Sequence, residues 1–184
     1  MPTHKGDDKK DARTIYARGA DDGLWLGLCF IALFGLAAAS LRMQWLNIAV
    51  FAVAVYVPVF TYRKLRRTHV DAHGLSPFSA LWMQGIVMFA CGALLLGLGS
   101  YIYLRYLDPG FIGRVIEYGA DFYASYPTES AQEISAEFRS ILENNMAPKP
   151  QDVVLMWMWG AIFSGSLLSM IMAWAVRLRP VPIK

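Results

Sequence analysis

Two cysteines, Cys29 and Cys91, are the whole thiol complement of this 184-residue chain, and both fall inside apolar runs. There they act as small apolar residues, which leaves no basis for a disulfide framework. Charged residues make up only 17% of the chain. None of them, and no histidine, falls in any of the four longest apolar runs. Proton- or ion-coupled transporters and intramembrane hydrolases depend on ionisable groups at depth, so those classes lose their chemical basis. The sequence also lacks a phosphate-cradling glycine loop, a metalloprotease helix and a nucleophile elbow. Gly97-Leu98-Gly99 lies inside an apolar run and reads as packing. An inverted-repeat transporter gains no support either, because no internal repeat is visible. The net charge of +3 is too small to point to nucleic acid.

What the chain has in abundance is apolar length. It is 56% hydrophobic, with a mean hydropathy of +0.37. From Phe78 to Leu104 there is no acidic residue, Lys or Arg. As a helix that stretch would run about 40 Å, more than the ~30 Å hydrocarbon core of a bilayer. So small a chain has no core thick enough to bury it, and backbone polar groups in lipid must pair within a helix. Ser76 can cap this helix, with Pro77 in its first position, and Asp108-Pro109-Gly110 turns the chain at the far end.

Three more spans follow from the same reasoning, at about 24–41, 44–62 and 153–176 around the 78–104 span. Only Arg42-Met43 separates the first two, which therefore form a tight hairpin; one 39-residue helix would measure about 58 Å, too long for a bilayer. Pro58 marks a kink in the second span. All six tryptophans fall near span ends, as interfacial residues do. The fold expected is all-α: a four-helix transmembrane bundle forming one membrane domain over 24–177, with tails at 1–23 and 178–184. The N-terminal tail is charged and solvated, with a short surface helix around Ala12 to Ala20. Leu24 starts the first run too far in for a signal peptide, although Ala37-Ala38-Ala39-Ser40 mimics a cleavage site; an uncleaved span is expected.

Arg63 to Gly74 reads as a basic connector, and 105–152 as an outer loop of two amphipathic helices. In the first, Phe111, Ile112, Val115, Ile116, Phe122, Tyr123 and Tyr126 recur at helical spacing, with Arg114, Glu117 and Asp121 on the other side, until Pro127 ends it. The second opens on a capping box at Ser130-Ala131-Gln132-Glu133 and carries Ile134, Phe138, Ile141 and Leu142. Pro148 and Pro150 break the chain before the fourth span. With the termini on one side, that side holds twelve Lys and Arg against five on the other. Both termini and the basic connector are therefore expected in the cytoplasm, with the loop outside.

Candidate chemistry is sparse. His69 and His73, four apart with Asp71 between them, would share a helix face and are the weak metal candidates; no third ligand is placed by the sequence. Two histidines in a short polar loop are more often simply solvated. Glu117/Asp121 and Glu133/Glu137 are carboxylate pairs that could do acid–base work, yet the polar face of an amphipathic helix accounts for them. Arg105, next to Tyr106 at the outer end of the third span, suits a lipid phosphate, and snorkelling to the interface explains it equally well. Gln84 and Asn47 suit interhelical hydrogen bonds. Small residues at four-residue spacing (Gly23/Gly27, Ala93/Gly97, Gly160/Ser164 and Gly165/Ser169, with Gly85 and Gly92 between) favour close helix packing or a docked partner helix.

The segments 74–86 (GLSPFSALWMQGI) and 101–112 (YIYLRYLDPGFI) resemble the four-span family catalogued as domain of unknown function 4199, typical of Bacteroidetes. The resemblance covers nearly the whole chain from Leu24. It implies an inner-membrane protein without an established activity or cofactor, and motivates a partnership with a membrane glycosyltransferase. The expected function is a non-enzymatic accessory or scaffold subunit among membrane lipids, bound to a membrane partner or to its own copies. Two alternatives are carried: a lipid-handling enzyme or carrier for lipid-linked sugars acting through Arg105, Asp108, Glu117 and Asp121, and a passive small-solute channel.

Overall fold

The structure, a computed structural model, describes residues 15–72 and 74–178. The tail before Ile15, His73 and the residues after Leu178 lie outside the described residues. Every regular element among those described is helical: α1 (Ile15–Ser40), α2 (Asn47–Asp71), α3 (Phe78–Ile102), α4 (Phe111–Ala124), α5 (Glu129–Glu143) and α6 (Pro150–Arg177). A 3-10 turn (Gln44–Leu46) precedes α2, and a π turn (Tyr103–Leu107) continues α3. Four of these helices, counting the π turn with α3, are long and apolar enough to cross a membrane. The chain is an all-helical, multi-pass membrane protein.

Several element ends differ from those expected. The first helix is continuous from Ile15 into the span, so the short surface helix expected around Ala12 to Ala20 is not a separate element, and Arg18, Asp21 and Asp22 all sit on the opening turns of α1. The basic connector is helical as far as Asp71. Its residues are mostly good helix formers, and Leu65, Thr68 and His69 are buried at helical spacing, so tertiary burial carries the helix past the lipid. α2 also runs through Pro58, which leaves the Ala54 carbonyl without its helical donor. At the start of α3 the Pro77 carbonyl accepts from Ala80 and Leu81 N–H, making Pro77 the cap in place of Ser76. α5 begins one residue before Ser130. Thr128 takes the cap position and its carbonyl receives Ala131 and Gln132 N–H, so the capping box is not formed. Pro150 opens α6, since a first-turn residue needs no N–H.

The chain divides into two compact units, one comprising the chain up to Leu96 with that from Met158, the other Gly97–Trp157. In the first, α1 lays Gly19, Gly23 and Gly27, four apart, against Gln84, Met88, Cys91 and Leu95 of α3. α6 packs on another side of α3, with Ser169 against Gly85 and Gly165 against the Phe89 ring. The Trp82 indole N–H donates to the Ser166 carbonyl at 3.2 Å. Trp82 is thus a tie between helices as well as a span-end aromatic. Lipid tails are as apolar as leucine, so helix association in a bilayer depends on such close packing and not on water expulsion.

Two apolar clusters fill this unit. Leu26, Phe30, Val57, Met88 and Phe89 form one, and Leu65, Leu81, Ala173 and Val176 the other. Along α2 and α3 the buried Thr61 and Gln84 fall between them. The Thr61 hydroxyl donates back to the Val57 carbonyl at 2.9 Å. The Gln84 carboxamide and the Ser169 hydroxyl are fully buried with no hydrogen-bond partner among the described residues. Gln84 therefore does not make the interhelical hydrogen bond expected of it, and Asn47 is exposed on the first turn of α2.

The second unit centres on the α4–α5 hairpin. The Phe138 ring lies against Gly119 and 6.0 Å from the Tyr123 ring. The buried Ser135 hydroxyl donates to the Ala120 carbonyl at 2.9 Å. Ser135→Ala is expected to cost about 1 kcal/mol, the net value of one such bond. Amide exchange read along α4 would then rise about fivefold, and unchanged exchange would show that the bond carries no stability.

Candidate functional site

The residues expected at the outer interface do not converge. Asp108 pairs with Arg114 and lies 3.3 Å from the Tyr103 hydroxyl, which closes the Asp-Pro-Gly turn onto the start of α4. Asp121 faces Arg139 of α5 at 3.7 Å, with both side chains exposed. Arg105 and Glu117 point into open surroundings. The apolar face of α4 is divided. Phe111 is buried, and Tyr123 turns to α5, while Val115, Tyr118, Phe122 and Tyr126 stay largely exposed. That last set recurs at three- and four-residue spacing and forms an exposed stripe along α4 and the turn after it.

The small residues sort into two groups. Gly85 and Gly165 make the close approaches to α6 and α3 described above, and Gly92 meets Phe30 and the Gly27 backbone. Gly97 is buried, its carbonyl accepting from the Ser100 hydroxyl at 3.2 Å. Gly160, by contrast, has no atom near where a side chain would stand. Ser164 is exposed and returns its hydroxyl to the Gly160 carbonyl at 2.7 Å. These two lie on the exposed side of α6, in company with the exposed Trp159 and Phe163.

His69 lies on the last turn of α2, 6% exposed, with Nδ1 lacking a partner among the described residues. It is not the solvated loop residue expected. No group of three or more His, Cys, Asp or Glu comes together among the described residues.

A constellation that the sequence reading treated only as counted charge stands out where α1 begins and α2 ends. Lys64 bonds Asp22 at 2.6 Å, and Arg18 bonds Asp71 at 3.1 Å. The Lys64 ammonium also rides 5.2 Å over the Phe60 ring, a cation–π contact. These groups, with Asp21, Arg67 and Thr68, line a cleft of about 240 Å³. Arg67 is exposed and has no carboxylate partner among the described residues. The signal was available in the sequence: Arg18 and Asp22 are four apart, and Lys64, Thr68 and Asp71 follow helical spacing. The expected surface helix stops at Ala20, short of Asp22, and the connector reads as a loop, so neither places these charges on a shared helix end.

A family model described as a protein of unknown function (DUF4199) matches residues 22–177. Neither a curated protein nor a solved structure matches the chain. The matched range takes in α2 to α6 whole and α1 from Asp22 onward, including Gly23 and Gly27, so the resemblance drawn from the two span-end segments extends over the membrane-spanning helices and the hairpin. The chain belongs to the DUF4199 family.

Proposed function

We propose that this protein is a non-enzymatic accessory or scaffold subunit of an inner-membrane complex, with its termini in the cytoplasm and the α4–α5 hairpin outside. One observation carries the reading. The spanning helices close on one another through glycines and neutral side chains, while the small and aromatic face of α6 and the stripe on α4 are left outward. Such faces suit helix docking and lipid contact. Co-purification in mild detergent tests it, with a membrane glycosyltransferase the first partner to seek. Elution as a lone chain under several conditions would count against the reading. A Glu117→Ala, Asp121→Ala variant separates it from the lipid-handling alternative. A scaffold retains assembly and activity of its complex, whereas an enzyme using those carboxylates assembles but loses activity.

The orientation rests on the twelve-to-five division of Lys and Arg. In a chain with Cys29 and Cys91 replaced by alanine, a cysteine at Glu133 is expected to react with a membrane-impermeant maleimide on intact cells. Labelling only after the membrane is opened would reverse the topology.

A further inference from the structure

The charged cleft between the first turns of α1 and the last turns of α2 has a composition and a depth that together specify a ligand. Cations line it at Arg18, Lys64 and Arg67, and carboxylates at Asp21, Asp22 and Asp71. A simple anion would meet three carboxylates there, and a simple cation three basic groups. A ligand carrying both signs a few ångströms apart meets neither penalty. Among the described residues, the pairs Arg18–Asp71 and Lys64–Asp22 leave the exposed Arg67 guanidinium to take a phosphate, the group whose oxygens its fork geometry matches. Asp71 is 46% exposed at its side chain despite its pair with Arg18, and can accept from an ammonium as well.

Depth supplies the source. The apolar runs begin at Leu24 and end at Tyr62, so residues 18–22 and 64–71 stand within about two and a half turns of the hydrocarbon edge, at ~1.5 Å per residue. Exposed Tyr16 and Trp25 flank that level, where amphipathic rings settle among headgroups. We infer that this cleft binds the headgroup of a membrane phospholipid bearing a primary amine, with its phosphodiester on Arg67 and its ammonium toward Asp71 and Asp22. The acyl chains would then run down the outside of α1 and α2, beside Leu24 and Trp25. The site does not depend on the accessory role proposed above, since a lone chain would carry it equally.

The test uses the full chain, purified and delipidated in a non-ionic detergent. Short-chain phosphatidylethanolamine is titrated against it, and retention is read by native mass spectrometry. Saturable binding of one lipid is expected, with Arg67→Gln weakening it about tenfold, the loss of one charge-assisted bond. Arg67 makes no ion pair among the described residues, so the unliganded melting temperature of that variant should match the native chain and separate lost binding from lost folding. Phosphatidylglycerol, which has the phosphate but no ammonium, should bind markedly more weakly. Equal retention of the two lipids, or unchanged affinity in Arg67→Gln, would overturn the assignment. So would equal protection by soluble glycerophosphoethanolamine, because the ligand would then be a free metabolite and not a lipid.

Discussion

Gly23→Leu is expected to lower the stability of the membrane-spanning unit by about 3 kcal/mol or more, at the upper end of the overpacking range. Even a methyl at Gly23 would lie 2.7 Å from Cys91 Cβ and 2.8 Å from the Met88 carbonyl oxygen. The second of these is helix backbone and cannot swing aside. The two helices would have to separate, and Gly19 and Gly27, in contact with the same face of α3, would lose their close approach as well. Gly35 supplies the control within the same helix. It has nothing among the described residues within 4 Å of an added Cβ, so Gly35→Leu should be neutral or slightly stabilising, because leucine is the better helix former. Unfolding in mixed micelles with rising dodecyl sulfate reads both variants. Equal effects would mean that α1 does not depend on its glycine stripe.

The second large effect belongs to the contact between α3 and α6. Phe89 is 3% exposed, tilts against Phe30 with ring centroids 6.0 Å apart, and fills the space above Gly165. Truncation by Phe89→Ala should cost about 3–5 kcal/mol through lost contacts and the cavity left behind. Gly165→Leu should also damage the fold, because its side chain would occupy the volume of the Phe89 ring. The two changes are complementary in volume. The double variant Phe89→Ala, Gly165→Leu is therefore expected to be more stable than the sum of the singles by about 1–3 kcal/mol, as contacting sites couple. The same micellar unfolding measures it. Strict additivity would show that the ring and the glycine do not share a space.

Much of this architecture could be read before any coordinates. Runs of some twenty apolar residues without a charge dictate helices across lipid, because the backbone has no other way to satisfy itself there. The break at Arg42-Met43, the Asp-Pro-Gly turn and Pro127 set where helices stop, and these are local chemistry. Gly23/Gly27 and Gly165/Ser169 were visible as spacings that allow close approach. Spacing could not say which of them are used. Gly165 seats against Phe89, whereas Gly160, with nothing within 4 Å of an added Cβ among the described residues, and the exposed Ser164, at the same four-residue separation in the same helix, are not used in this way. That choice depends on the rotation of α6 about its axis, which is set by the sum of its contacts.

Chain composition alone determined that this protein is all-helical, crosses a bilayer four times and carries no ionisable group in its apolar runs. Tertiary contacts decided that α1 and α2 continue as helices beyond the lipid. Arg18, Asp22, Lys64 and Asp71 are unremarkable as polar residues beside a span, and only their meeting across two helices turns them into paired charges around a cleft. Local sequence reports what each segment needs from its solvent. Which distant side chains meet depends on how the helices are placed against one another, and no single segment holds that information.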